Sequence, residues 1–254
     1  MRAEVQRDAL IQYLNDTLRV SQFKDYCPNG LQVEGKERIQ KLVTGVTASQ
    51  ALVDKAIDLN ADALLVHHGY FWKGEPQPVT GMKKRRLQAL LAHDINLLAY
   101  HLPLDAHPEY GNNAQLAAML EIEVTGTLEP ENPCSVVMTG ELSEPLTAAQ
   151  LAERIEQRLQ RKPLVEASDK IIKTLAWCTG GGQGFIDMAA DSGVDAFITG
   201  EVSEPTIHTA RERGIQFFAA GHHATERYGA KALGDHLAEE FGLDVAFVDI
   251  DSPA

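Results

Sequence analysis

The stretch Asp62-Ala63-Leu64-Leu65-Val66-His67-His68-Gly69-Tyr70 constrains this chain more than any other. It is an unbroken aliphatic run that stops abruptly at two adjacent histidines and a glycine. A short continuous aliphatic run is the pattern of a strand covered on both faces, as in a parallel sheet flanked by helices. In open α/β sheets, ligands bind beyond the carboxyl ends of the strands. The sequence therefore predicts an α/β fold with His67 and His68 at its functional edge.

The pattern recurs along the chain. Ile95–Tyr100 reads as a strand running into His101-Leu102-Pro103-Leu104-Asp105, Val194–Thr199 as one running into Gly200-Glu201, and Ile215–Ala220 as one running into Gly221-His222-His223. Further strands are expected at Leu31–Val33, 39–46, Cys134–Thr139, Ile171–Cys178 and Val245–Ile250. Apolar residues at helical spacing predict helices over 4–18, 49–59, 83–93, 112–120, 147–159, 184–191, 204–213 and 225–241. The last carries Ala230, Leu233, Leu237 and Phe241 on one stripe, with Gly242 placed to cap it. The polar, proline-bearing segment Glu129–Pro133 is the expected boundary between an N-terminal α/β lobe, 1–128, and a C-terminal α/β lobe, 129–254.

Gln50–His68 can be laid over Gln183–Glu201 without a gap, pairing Asp54 with Asp187, Ala56 with Ala189, Asp58 with Asp191, Asp62 with Asp195 and Ala63 with Ala196. A second register pairs His101 with His222 and Asp105 with Glu226. These matches point to two related α/β lobes, an internal pseudo-repeat, with a metal site expected in the cleft between them.

The donors for that site are His67, His68, Asp105, His222 and Glu226. Three imidazoles and two carboxylates suit Zn, Fe or Mn better than Ca or Mg, and are enough for two ions sharing a carboxylate. Paired metals are a recurring device for hydrolysis of phosphates and amides. Neighbouring strand residues point to opposite faces, so both His67 and His68 are expected to reach one site only if the strand ends before them and turns at Gly69.

Other motifs stay open between two readings. Tyr70-Phe71-Trp72-Lys73-Gly74 is either a stacking platform for a planar ligand or a packed loop. Gly180-Gly181-Gly182 is either a phosphate cradle at a helix N-terminus or a tight strand-to-helix turn. His93, His107, His208 and His236 read as surface or capping residues. Cys27, Cys134 and Cys178 are odd in number and form no Cys-x-x-Cys pair, which argues for a reducing compartment, the cytoplasm. A net charge of −13 spread along the chain argues against charge-driven binding to duplex DNA or an anionic membrane, and no stretch approaches the length of a membrane span. The basic run Lys83-Lys84-Arg85-Arg86 reads as a solvated face or a local basic spot.

Four motifs together carry a family resemblance: Tyr26-Cys27-Pro28-Asn29-Gly30-Leu31-Gln32-Val33-Glu34-Gly35, Val66-His67-His68-Gly69-Tyr70-Phe71-Trp72-Lys73-Gly74, His101-Leu102-Pro103-Leu104-Asp105 and Gly221-His222-His223-Ala224-Thr225-Glu226. With them the chain resembles, nearly end to end, the GTP cyclohydrolase 1 type 2 homologues, also called the Nif-three-like family. The resemblance implies two divalent transition-metal ions per subunit held by His67, His68, Asp105, His222 and Glu226, with Glu226 as bridge. It places His101, His223 and Asn29 around the ligands or on the substrate side. It allows the fold to count as one domain, with the C-terminal segment packing back on the first lobe. It also implies a homo-oligomer in the form of a toroidal hexamer, and a hydrolase of a nucleotide or related small molecule, damaged nucleotides included, with metal-bound water as nucleophile. The alternative is a non-catalytic metal-binding ring that serves as scaffold, metal carrier or regulator.

Overall fold

The computed structural model describes residues 3–254. By contacts the chain divides into two compact units, Met1–Leu104 with Gly229–Ile250, and Asp105–Tyr228 with Asp251–Ala254.

The first unit begins with β1 (Val5–Gln6), α1 (Arg7–Thr17), β2 (Gly30–Val33), β3 (Arg38–Ile39), β4 (Lys41–Thr47) and α2 (Gln50–Asp58). It continues with β5 (Ala63–His68), α3 (Gly81–Ala92) and β6 (Asn96–Ala99). A short helix, α4 (Leu102–Ala106), spans the division. The second unit holds α5 (Asn112–Leu120), β7 (Ile122–Thr127), β8 (Met138–Leu146), α6 (Ala148–Leu159), β9 (Leu164–Glu166), β10 (Ile172–Cys178), α7 (Ile186–Ser192), β11 (Ala196–Thr199), α8 (Glu204–Arg213) and β12 (Gln216–Ala219). Helix α9 (His222–Phe241) starts in the second unit and ends in the first, to which β13 (Asp244–Phe247) also belongs.

The first unit's sheet has the order β13-β4-β5-β6-β2, with β13, β4, β5 and β6 parallel and β2 antiparallel at the edge. All six residues of β5 are at least half-buried, as the aliphatic run requires. Leu64, Val66, Leu97 and Val43 pack there with Leu52, Val53 and Ala56 of α2. Ser49 caps α2 by accepting from the Leu52 N–H, one of the amides a helix start leaves without a partner. The second unit's sheet has the order β7-β8-β10-β11-β12-β9, in which β10, β11 and β12 run parallel and β9 closes antiparallel against β12. Trp177, Ile198 and Phe218 supply much of the apolar volume on one side of it, and Phe197 and Phe217 on the other.

Three expectations shift. The strand placed at Cys134–Thr139 lies at Met138–Leu146, because Cys134 and Ser135 are taken up by a turn in which their N–H groups bond to Asn132. The strand then runs on through polar Glu141 and Ser143, since alternation alone keeps Met138, Gly140 and Leu142 inside. The units divide at Leu104/Asp105 rather than in the polar segment 129–133, because β7 pairs with β8 and so ties α5 and β7 to the second sheet. Strand β5 also continues through both histidines instead of ending before them.

Candidate metal-binding clusters in the two units

In the first unit the donors gather where β5 and β6 end. His67 and His68 are the last residues of β5, and His101 follows β6 by two residues. The His67 and His68 ring centroids lie 4.5 Å apart, and His101 lies 5.1 and 5.8 Å from them. One ring nitrogen from each of the three falls within 4.8 Å of the others. Both histidines contribute even though the strand does not turn. His67 reaches the end of β6, where its Nδ1 sits 3.0 Å from the Tyr100 carbonyl oxygen, and His68 places its Nδ1 3.2 Å from Thr47 Oγ1. A carbonyl oxygen only accepts, so His67 carries a hydrogen on Nδ1, and in the neutral ring Nε2 is the nitrogen that can bind a metal.

His101 is held differently. Its Nδ1 lies 2.7 Å from Asp25 Oδ1, and its backbone N–H donates to Asn29 Oδ1 at 2.7 Å. Asp25 also accepts from Asn29 Nδ2 and from the backbone N–H groups of Tyr26 and Leu102. Burial, with the Asp25 side chain only 3% exposed, pushes its pKa up. The bonds from His101 and Asn29 outweigh that and bring it down to about 2. A depressed carboxylate stabilises the fold above its ordinary pKa near 3.8, and the contribution is lost as pH falls through about 2. We expect Asp25→Asn to be less stable than wild type by on the order of 2 kcal/mol at pH 5, a gap that narrows toward pH 2. Urea unfolding followed by Trp72 fluorescence at both pH values measures it, and a gap constant with pH would contradict the assignment.

Asp25, Cys27 and His101 form a second grouping within 4.8 Å. Its thiol is pushed up to about 12, by burial first and then by the Asp25 charge, so Cys27 is a protonated, apolar-like side chain at neutral pH.

In the second unit the donors gather beyond β10, β11 and β12. His222, on the first turn of α9, places Nε2 3.1 Å from Glu226 Oε2 one turn along, and Nδ1 2.6 Å from Glu201 Oε1. The hydrogen bond to Glu226 raises His222 most; burial opposes it and Glu201 adds to it, giving a pKa of about 9. Asp105 accepts at one oxygen, Oδ1, from both Asn112 Nδ2 at 2.9 Å and Thr179 Oγ1 at 3.2 Å. Asp105 and Glu226 are 6% and 2% exposed, and carboxylates that deep are costly unless bonded or bound to a cation. Burial, and then the charges of Asp105 and Glu226, raise the Cys178 thiol well above its ordinary value. His223 is 8% exposed, and its backbone N–H donates to the Ala254 carbonyl.

The triple glycine is a tight turn shaped around Glu226. Gly180 has φ +65°, and a Cβ on it would lie 2.0 Å from Glu226 Oε1 and 3.1 Å from His222 Nε2. Its N–H donates to Thr225 Oγ1, and the Gly182 N–H donates to Thr199 Oγ1. Those amides are spent inside the protein, which leaves little of a phosphate cradle.

The donor set fits divalent transition metals. His67, His68 and His222 each have Nδ1 engaged by an oxygen of their own unit, the arrangement that orients Nε2 for coordination. Sequence reasoning missed the orienting groups: Asp25, Thr47, Asn112, Thr179 and Glu201. Only Glu201 carried a signal, as the acid that follows an apolar strand in the position His68 occupies in the other half.

Comparison with known proteins gives the family and the fold. A family model described as Duf34/NIF3 (NGG1p interacting factor 3) matches residues 5–253. A Haemophilus influenzae protein named GTP cyclohydrolase 1 type 2 homolog is 60% identical over 247 residues, covering 96% of this chain and 98% of that one. The solved structure of protein ybgI, described as of unknown function, superposes with a TM-score of 0.94 at 59% identity, covering 98% of this chain and 100% of its own. TTHA1606 from Thermus thermophilus superposes with a TM-score of 0.89 at 38% identity, covering 98% of this chain and 100% of its own. With a match that runs from β1 to the last residues of the chain, this protein belongs to the Duf34/NIF3 family.

Proposed function

We propose that the chain binds two divalent transition-metal ions, Fe, Zn or Mn, which His67, His68, Asp105, His222 and Glu226 would hold. In this reading the donors of the two related lobes complete one centre, and the protein is a GTP cyclohydrolase-like hydrolase of a nucleotide or related small molecule, damaged nucleotides included. The observation that carries it is the anchoring of Nδ1 on three histidines by Tyr100, Thr47 and Glu201. Surface histidines have no need of such anchors, whereas metal-binding ones almost always have them.

Ions held there would supply Lewis acidity, easing deprotonation of water at neutral pH and stabilising developing negative charge. The protein's own part is orientation. Thr179 and Asn112 fix one oxygen of Asp105, and Glu201 fixes the His222 ring. His101, His223 and Asn29 act around the ligands, supporting them, or on the substrate side of the centre. Subunits assemble as a hexameric ring in the cytoplasm.

Mass-spectrometric metal analysis tests the reading. Wild type is expected to carry about two ions per chain, as paired-metal hydrolases do, and a His67→Ala, His222→Ala double variant purified identically to carry none. A panel of nucleotides assayed with the loaded protein then looks for turnover. Metal binding without turnover would favour the scaffold, carrier or regulator. A wild type that takes up no metal from Zn, Mn or Fe(II) would overturn both.

A further inference from the structure

The loop after β5 does two different things with its aromatic residues. Tyr70 is core: it is 5% exposed and its hydroxyl donates to the Ala48 carbonyl. The residues beyond it are not. Phe71 is 36% exposed and holds a left-handed backbone, φ 66°, a conformation that costs a bulky residue on the order of 1 kcal/mol or more. Trp72 is turned inward against the histidines, 4.9 Å from His101 and 5.9 Å from His68.

A second aromatic comes from a different loop. Tyr26 stands 6.3 Å from His101, inclined at 66°, and is 62% exposed, among the most exposed large side chains described in the protein. The two loops are fastened together. The Lys73 N–H donates to the Tyr26 carbonyl at 2.7 Å. Gln32 donates to the carbonyls of Pro28 and Tyr70 and accepts from the Tyr70 N–H. The Tyr26 N–H is held by Asp25, the carboxylate that orients His101. Tyr26 is thus an exposed aromatic ring on a braced backbone, at the rim of an imidazole cluster. Exposed tyrosine held in this way is a low-entropy contact surface, and base–aromatic stacking accepts any planar ring.

We infer that Tyr26, with Trp72 and His101 as its neighbours, is a stacking subsite for the planar heteroaromatic ring of the substrate, so that a nucleobase is recognised by its π-face from the first unit. This deepens the hydrolase reading and rests on it for the word substrate, but the ring-binding surface is tested separately from metal and turnover.

Two tryptophans make the test direct, because Trp177 is fully buried in the second unit and Trp72 lies at the subsite. Guanosine is titrated against the full-length protein, metal-loaded and chelator-treated, with ribose 5-phosphate as a probe that has no aromatic ring. Guanosine is expected to change Trp72 fluorescence saturably, and ribose 5-phosphate to leave it unchanged. Tyr26→Ala should weaken guanosine roughly tenfold, the size of one stacking contact, while Tyr26→Phe stays within about twofold. Metal content should be unaltered in both variants. Equal guanosine affinity in Tyr26→Ala and wild type would overturn the inference while leaving the metal centre standing. So would a Tyr26→Ala variant whose only change is a smaller oligomer, which would make this face a contact between copies of the chain. Saturable guanosine binding to a protein that takes up no metal would instead support the subsite and sink the hydrolase.

Discussion

On the proposed function, replacing Glu226 with alanine is expected to lower metal-dependent nucleotide turnover by on the order of a thousandfold, the scale on which removal of one charge-stabilising group acts, and to leave the proposed oligomer unaltered. Glu226 is 2% exposed and pairs with His222 at 3.1 Å. A buried carboxylate beside an imidazole stabilises whatever cation occupies the place between or beside them, a proton or a metal. Its removal therefore has a second signature that needs no substrate. In the metal-free protein the His222 pKa should fall from about 9 toward the ordinary imidazole value of 6.5, with Glu201 left to hold it partway. Proton NMR of the histidine ring reads the shift, and kinetics with the nucleotide panel reads the turnover. Full activity in Glu226→Ala would refute the mechanism.

Gly180→Ala is the second large effect, and no ordinary scale of side-chain similarity would single it out. The new methyl would lie 2.0 Å from Glu226 Oε1 and 2.9 Å from its carboxyl carbon, on a backbone at φ +65°. The left-handed conformation alone costs an alanine about 1 kcal/mol. The clash can be relieved only by moving the carboxylate, since the loop is fixed by the Gly180 N–H bond to Thr225 and by the Gly200 N–H bond to the Gly180 carbonyl. We expect metal affinity to fall roughly a hundredfold, as when a group that orients a ligand is lost, with thermal stability lowered by only a few degrees. Competition with a chromophoric chelator measures the first and calorimetry the second. Unchanged affinity would mean that Glu226 is not a ligand.

Much of the fold was legible in the sequence because buried parallel strands advertise themselves. Ala63–Val66 and Phe217–Ala219 are too continuously apolar to be anything exposed, and the polar residues that end such runs stand where a sheet opens to ligands. Strands β7, β8 and β9 were harder. Their residues alternate or are largely exposed, so periodicity carried little, and the polar run 129–133 resembled a linker while it was a turn inside one unit. The histidines and acids of the candidate clusters were visible by type and position. Their supports were not, because the Tyr100 carbonyl, Thr47 and Thr179 act through backbone placement and carry no spacing of their own. The triple glycine was ambiguous for a related reason: only the position of Glu226 shows what the missing side chains make room for.

Strand β13 pairs with β4, so the last strand of the chain lies beside one of the first. On the ribosome this reverses the usual N-to-C order of completion. The nascent chain exposes β4 with one edge bare while nearly all of the remaining sequence is still to be made. The second unit needs only its short C-terminal tail from beyond Tyr228, and its sheet is complete before β13 has been synthesised. The first unit, begun before the second, is therefore closed after it, and a ribosome that stalls between Tyr228 and Asp244 releases a molecule whose β4 keeps an open sheet edge, the kind of edge that pairs with other chains.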